Sequence, residues 1–254
     1  MKFRRIVVLS LQTLAAFSAL GGSAFCLVWL QQQQQESAPM PKQTVWSETI
    51  PLVIVDAGHG GHDGGAVSHG VVEKNMSLDI ATRLKKELEA SGLRVVMTRN
   101  EDRFLSLDER AEMAGRNGAA AFVSVHLNTD GEGSEAQGIE TYFAETKTLS
   151  ARLREGAGGG SEADEGDGAE FAKVVQHLVC SATQAENRGV KARDYAVVAR
   201  AACPAVLVEC GFITSTKEVV RLKEAGYRDK IASGIARGVV LFLQRHVVEV
   251  AEAF

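Results

Sequence analysis

A short apolar run that ends in a glycine-flanked histidine decides the fold: Val53-Ile54-Val55-Asp56-Ala57-Gly58-His59-Gly60-Gly61. Three β-branched residues, followed by a carboxylate and small residues, predict a buried strand that opens into a tight loop. Because glycine has no side chain, the backbone around His59 can turn sharply and a ligand can approach closely. An ordinary turn with a solvated histidine would show the same pattern, so this motif alone does not identify a site.

Strand-like and helix-like segments alternate after residue 50. Strands are predicted at residues 52–56, 93–98, 121–126, 138–143, 195–199 and 205–209. Amphipathic helical patterns separate them, and capping-box signatures begin at Ser106 and at Ser215. Because crossover helices join parallel strands, we predict one α/β domain over residues 51–250. Its twisted, mostly parallel sheet carries helices on both faces.

Residues 144–168 interrupt this alternation. Between residues 156 and 168 the chain consists largely of glycine and acidic residues, with no basic residue. Such a composition offers little apolar surface to offset the entropy of ordering. We therefore predict a mobile loop within the domain.

The N-terminus has the composition of an export segment. Lys2, Arg4 and Arg5 precede an apolar stretch at residues 6–30, which is long enough to span about 30 Å of hydrocarbon. We interpret residues 1–30 as a signal peptide or, because the apolar stretch is long, as an uncleaved signal anchor. Residues 31–50, rich in Gln with two prolines, form a tether. The domain is then extracytoplasmic, in the periplasm or cell envelope, and is secreted or anchored in the inner membrane.

Charge and cysteine content exclude two classes of protein. The formal net charge is −4, whereas nucleic-acid modules usually carry a basic face. Four cysteines in 254 residues do not make a disulfide framework. We interpret Cys180, Cys203 and Cys210 as small buried thiols, although a bridge that involves Cys180 remains open.

Polar side chains follow the predicted strands at one edge of the sheet. In open α/β sheets the ligand lies beyond the carboxyl ends of the strands, where His59, His126 and Glu209 fall. Glu73 begins the helix that returns from that edge. Two histidines and a carboxylate with one open position are typical of catalytic zinc. Three alternatives stay open: Glu73 as a helix-start carboxylate, Glu209 as a paired buried acid, and His62 as a competing ligand.

Five motifs carry a resemblance to a known family. They are Asp56-Ala57-Gly58-His59-Gly60-Gly61, Glu73-Lys74-Asn75, Ser124-Val125-His126-Leu127-Asn128, Gly138-Ile139-Glu140-Thr141-Tyr142 and Val208-Glu209-Cys210-Gly211-Phe212-Ile213. In this order and context the chain resembles the zinc-dependent N-acetylmuramoyl-L-alanine amidases over about residues 51–245, including Arg188-Gly189-Val190-Lys191.

The resemblance implies a reaction and a set of roles. The reaction is hydrolysis of the amide that joins the lactyl group of N-acetylmuramic acid to L-alanine in peptidoglycan. The resemblance implies that His59, Glu73 and His126 bind Zn²⁺ and that Glu209 is the catalytic acid and base. Glu140 carries over as a motif residue whose role is unknown.

Other functions compatible with these residues are a zinc peptidase, a deacetylase that acts on the cell wall, and a non-catalytic wall-binding domain. The segment after Phe143 departs from the division-associated relatives, in which a helix there blocks the zinc until an activator removes it. A Gly-rich acidic composition disfavours a helix. Whether an activator protein acts here is therefore left open.

Overall fold

A computed structural model of the chain describes Trp46 and residues 50–131, 133–145 and 166–252. The strands in these ranges are β1 Leu52–Ala57, β2 Val67–Ser68, β3 Val71–Val72, β4 Arg94–Met97, β5 Ala121–Asn128, β6 Ile139–Phe143, β7 Asn187–Ala192 and β8 Ala205–Phe212. The helices are α1 Glu73–Ala90, α2 Leu107–Arg116, α3 Gly166–Thr183, α4 Ala196–Ala199, α5 Thr216–Lys223 and α6 Ala225–Glu252. The predicted apolar span at residues 6–30 and most of the predicted tether lie outside these ranges. No helix within them combines the length and apolar character needed to cross a bilayer.

Six strands form one sheet in the order β4-β1-β5-β8-β6-β7. Every neighbouring pair is parallel except β6 and β8, which are antiparallel. All six residues of β1 are buried, as expected for a strand covered on both faces. The predicted α/β class with a mostly parallel sheet is confirmed.

Alternate residues of a strand point to opposite faces of the sheet. Both faces carry apolar side chains here, and helices cover each of them. Val53 and Val55 of β1 belong to the larger core cluster, which includes residues of α1, α3, α5 and α6. Ile54 points the other way, into a smaller cluster with residues of α2 and α4. The candidate site lies at the carboxyl edge above this smaller cluster.

Residues 195–199, predicted as a strand, instead form the one-turn helix α4, with Tyr195 at its N-cap. Val197 and Val198 are both buried in the same apolar cluster. Successive residues of a strand would point to opposite faces, so only the helical turn buries both on one side. Strand β7 was not predicted, because Asn187–Ala192 shows no apolar alternation.

One of the two predicted capping boxes forms. Ser106 accepts a hydrogen bond from the Glu109 backbone, and the Glu109 carboxylate accepts one from the Ser106 backbone at 2.8 Å. The predicted box at Ser215 is wrong. Ser215 is the N-cap of α5, but its hydroxyl lies 3.3 Å from a Glu135 carboxylate oxygen. Glu218 instead accepts hydrogen bonds from the backbone N–H of Gly138, just before β6, and of Phe212, the last residue of β8.

The predicted mobile loop at residues 144–168 needs one correction. Residues 166–168 belong to the first turn of α3, where Asp167 is favoured by the positive end of the helix dipole. Residues 146–165 lie outside the described ranges. Cys180, Cys203 and Cys210 are buried free thiols, as predicted.

Candidate active site

Three side chains from separate elements converge at the carboxyl edge of the sheet. His59 follows β1, Glu73 is the first residue of α1, and His126 lies in β5. His59 Nε2 lies 3.1 Å and His126 Nδ1 3.0 Å from the same Glu73 oxygen, Oε1. One donor atom from each residue lies within 4.8 Å of the others, so the cluster can hold a metal ion.

His126 and Glu209 do not end their strands, contrary to the prediction. β5 continues to Asn128 and β8 continues to Phe212, because buried apolar residues extend both strands. A register irregularity accompanies this extension: His126 pairs with Glu209, whereas Asn128 pairs with Phe212. Both side chains nevertheless remain at the edge where the sequence placed them.

His59 is held in an unusual conformation by its neighbours. Its φ is 60°, and its Nδ1 lies 2.8 Å from Asp63 Oδ2, which directs Nε2 toward Glu73. Burial would lower the pKa of His59, but the hydrogen bond and charge of Glu73, aided by Asp63, raise it to about 9. A negative potential that holds a proton so firmly also favours a cation in its place.

Glu73 stays ionised despite its burial. Burial opposes ionisation, but hydrogen bonds with His126 and His59 hold the pKa of Glu73 well below its usual range. Its oxygens also accept backbone hydrogen bonds from Ala66 at 2.9 Å and from Leu127 at 3.1 Å. These contacts fix the carboxylate between the two imidazole rings.

Two glycines make room for the cluster. A Cβ on Gly58 would lie 2.4 Å from the His126 ring. A Cβ on Gly65 would lie 2.6 Å from Glu73 Oε2 and 2.7 Å from the His59 ring. No real Cβ contact is that short, so the backbone approaches the cluster as closely as glycine allows.

Two buried arginines hold the loop that carries His59. Arg110 donates to the Asp56 carboxylate at 2.9 Å and to the His59 carbonyl at 2.7 Å. Arg99 donates to the carbonyls of Ala57 at 2.9 Å and Gly58 at 2.7 Å. Neither arginine is recognisable as a site residue from the sequence, because no local pattern indicates partners more than 40 residues away.

Glu209 lines the same open cleft of about 500 Å³ as His59, Glu73 and His126, and it is the register partner of His126 on the neighbouring strand. Within the described part of the chain, Glu209 Oε2 is buried without a hydrogen-bond partner. Burial raises the pKa of Glu209 to about 7, against the attraction of His126. A carboxyl group with a near-neutral pKa can both accept and donate a proton at physiological pH.

His62 does not join the cluster. Its ring packs against Phe104 with 4.2 Å between ring centroids, and among the described residues the group that could hold a metal ion consists of His59, Glu73 and His126. The position of His62 therefore does not support a role as a competing metal ligand.

The fold and this side-chain set define an α/β protein with a candidate metal centre at the carboxyl edge of its sheet. The chain belongs to the N-acetylmuramoyl-L-alanine amidase family, whose model matches residues 53–240. The members of this family are peptidoglycan hydrolases that act on amide bonds. The resemblance found in the sequence is therefore confirmed.

Individual relatives agree with this family. The chain is 35% identical over 201 residues to the N-acetylmuramoyl-L-alanine amidase LytC of Bacillus subtilis, covering 79% of this chain and 36% of LytC. The N-acetylmuramoyl-L-alanine amidase of Clostridium difficile 630 superposes with a TM-score of 0.67 at 32% identity, covering 77% of this chain and 97% of that one. The CwlD amidase of Clostridioides difficile, solved in complex with the GerS lipoprotein, gives 0.65 at 30% identity, covering 76% and 98%.

Proposed function

We propose that this domain hydrolyses the amide between N-acetylmuramic acid and L-alanine of peptidoglycan. In this proposal His59, Glu73 and His126 hold Zn²⁺, and Glu209 carries the proton. The observation that carries it is the position of Glu209, whose Oε2 is buried without a hydrogen-bond partner in the described part of the chain and whose side chain lines the same cleft as three residues that could hold a metal ion.

The donor set fits zinc. Two imidazole nitrogens and one carboxylate oxygen are a common catalytic zinc set, whereas structural zinc sites use four protein ligands. When bound there, Zn²⁺ supplies a Lewis acid that polarises a carbonyl and lowers the pKa of water to about 7. Asp63 supports the fit because metal-binding histidines usually give their other ring nitrogen to a carboxylate.

Glu209 is proposed to perform the proton transfers. Its ionised form takes a proton from the attacking water, and its protonated form delivers that proton to the departing amine of L-alanine. A positioned acid and base of this kind typically contributes about 10²–10⁴-fold to the rate. Burial raises the pKa of Glu209 to about 7 in the metal-free site, and a bound cation would favour its ionised form, which is the form that takes the first proton.

A wall peptidase or deacetylase would need similar metal chemistry, but family membership favours the amidase. A wall-binding domain would have no use for an unpartnered buried carboxyl group beside an open metal position. Digestion of purified peptidoglycan separates these functions. The amidase releases stem peptides with a new L-alanine amine, identified by mass. A cleaved peptide bond, released acetate, or binding without new ends would contradict the proposal.

We also propose how the domain reaches its substrate. Residues 1–30 direct export and either anchor the chain in the membrane or are removed, and residues 31–50 connect them to the domain over residues 51–250. The basic residues before an apolar stretch support this arrangement. A protein partner is a further proposal, supported by the solved complex of CwlD with the GerS lipoprotein. Protease added to intact spheroplasts should degrade the domain, while protection would contradict its export.

A further inference from the structure

Glu140 lies at the centre of a polar cluster that the proposed reaction does not use. Its Oε1 accepts hydrogen bonds from Asn128 Nδ2 at 2.6 Å and from the Tyr142 hydroxyl at 2.5 Å. Its Oε2 accepts from Arg188 Nε at 3.1 Å and from Lys191 Nζ. Glu140 is only 2% exposed, so its position is fixed. One buried carboxylate thus holds two cationic side chains.

A β-bulge aims both cations at Glu140. Ile139 of β6 pairs with Asn187, whereas Thr141 pairs with Val190, so β7 contains one extra residue. Gly189 occupies the bulge with φ 83°, and its N–H donates to the Asn187 side chain at 2.9 Å. In a regular strand, side chains three residues apart point to opposite faces. The bulge re-aims them, a feature that is frequent beside active sites.

The cations lie on the same side of the sheet as Glu209. Glu140 and Glu209 are directly opposite each other on antiparallel strands, so their side chains share a face. Asn128, which contacts Glu140, also lines the cleft. Neighbouring strands are about 4.8 Å apart, so the strand that carries the cations is about 10 Å from that of Glu209. An extended dipeptide spans about 7 Å, and the side chain of its second residue can bridge the rest of the distance between Glu209 and the two cations.

We propose that Arg188 and Lys191 form a subsite for a carboxylate on the peptide part of the substrate. This inference rests on the proposed function, because the peptide must extend from the scissile amide beside Glu209. An arginine fork and a lysine ammonium are the groups that bind carboxylates most strongly. Arg188 also lies over the Phe212 ring at 4.8 Å, which holds the guanidinium in place.

Glu140 does not neutralise both cations of the subsite, so positive charge remains available to a ligand. Two cations share the single charge of Glu140, and their side chains remain 31% (Arg188) and 38% (Lys191) exposed. A second carboxylate, Glu186 Oε1, lies 4.0 Å from Arg188 Nη1, but its side chain is 65% exposed. Exposed pairs of this kind contribute little energy, so a substrate carboxylate can replace Glu186.

The test uses two synthetic N-acetylmuramoyl dipeptides that begin with L-alanine. The second residue carries a free carboxylate in one and a carboxamide in the other. The measured quantity is the ratio of kcat/KM for the carboxylate to kcat/KM for the carboxamide. Both values come from the same preparation, so a loss of folded protein cancels.

The wild-type protein should prefer the carboxylate. Lys191→Gln and Arg188→Gln should each lower the ratio about tenfold, mainly through KM, because each removes one charged hydrogen bond to the ligand. Arg193→Gln is the matched control. Arg193 is an exposed cation just after β7, and among the described residues the ion pairs of Glu140 are with Arg188 and Lys191. This control should keep the wild-type ratio.

Two outcomes overturn the inference while the proposed function stands: a wild-type ratio near one, or an unchanged ratio in both Lys191→Gln and Arg188→Gln. An equal fall in Arg193→Gln also overturns it, because the preference would then reflect net charge alone. If the wild-type protein cleaves neither compound and also fails to cleave peptidoglycan, the proposed function fails and this inference fails with it.

Discussion

Glu209 and His126 are register partners on the neighbouring parallel strands β8 and β5. This pairing sets the proposed proton carrier beside a proposed metal ligand through backbone geometry alone. His126 reaches Glu73 at 3.0 Å, whereas Glu209 keeps one oxygen without a partner in the described part of the chain. Neighbouring positions on one sheet edge can therefore serve binding and chemistry separately.

Replacement of Glu209 should separate these two roles. Glu209→Gln keeps the shape of the side chain but cannot take a proton, so turnover should fall by about 10²–10⁴-fold. Zinc content should stay at about one ion per chain, because the three proposed ligands remain. His126→Ala removes a ligand and should lower zinc content and activity together. If Glu209→Gln loses its zinc, or stays nearly as active as the wild type, another carboxylate carries the proton, and Glu140 is the next candidate.

The raised pKa of Glu209 predicts a pH-dependent stability of the metal-free domain. Burial raises this pKa from 4.5 to about 7, so the folded state binds the proton more tightly than the unfolded state. The resulting stability is complete below pH 4.5 and is lost as the pH rises through about 7. A shift of this size corresponds to about 3 kcal/mol.

Chemical denaturation in the presence of a chelator measures this contribution. Between pH 5 and pH 8 the wild-type free energy of unfolding should fall relative to that of Glu209→Gln, whose amide does not titrate. Subtraction of the two curves cancels the titrating groups that do not interact with Glu209. His126 and His59 interact with it by charge, so the difference reports Glu209 together with its coupling to these two histidines. A constant difference between the two proteins across this range would contradict the pKa assigned to Glu209.

Asp63 should tune metal binding without being a ligand. Its carboxylate lies 2.8 Å from His59 Nδ1 and accepts a hydrogen bond from the Gly65 backbone at 3.0 Å. Asp63→Asn should weaken zinc affinity by about 10–100-fold, the usual cost of losing such a partner. Competition with a chromophoric chelator measures the affinity. Asp130→Asn is the control, because Asp130 is exposed and bonds to Ser134 and Gly131. If Asp63→Asn binds zinc as tightly as Asp130→Asn does, Asp63 does not tune metal binding.

Local sequence pattern predicted those parts of the fold that local physics determines. The β-branched run at residues 53–55 forms part of β1, and the amphipathic pattern that follows it forms α1, with Ile80, Leu84 and Leu88 buried. His59, Glu73 and His126 could be found because the loop after β1, the start of α1 and the carboxyl half of β5 meet at one edge of the sheet, although β5 continues two residues beyond His126.

The missed features depend on contacts between distant segments. Strand β7 has no apolar alternation, and its bulge is recognisable only beside β6. Arg99 and Arg110 reach backbone carbonyls on β1 and the loop after it, more than 40 residues away in the chain. Their buried positions follow from tertiary packing, since an arginine in sequence is normally read as a surface residue.

Gly65 offers a test of how closely the backbone must approach the proposed metal ligands. Its φ is 64°, and an added Cβ would lie 2.6 Å from Glu73 Oε2 and 2.7 Å from the His59 ring. Gly65→Ala therefore combines backbone strain with displacement of two proposed ligands. It should lower both zinc content and the free energy of unfolding.

Gly70 provides the matched control for this substitution. Its φ of 72° is similar, but no described heavy atom lies within 4 Å of an added Cβ. Gly70→Ala should cost about 1–2 kcal/mol from the left-handed conformation alone and keep full zinc content. Gly65→Ala should cost at least about 1 kcal/mol more, the lower range for overpacking, because the ligands must move. Thermal unfolding measures the stability of both proteins, and metal analysis measures their zinc content. If Gly65→Ala binds as much zinc as Gly70→Ala, the proposed ligands do not require the close approach of the backbone at Gly65.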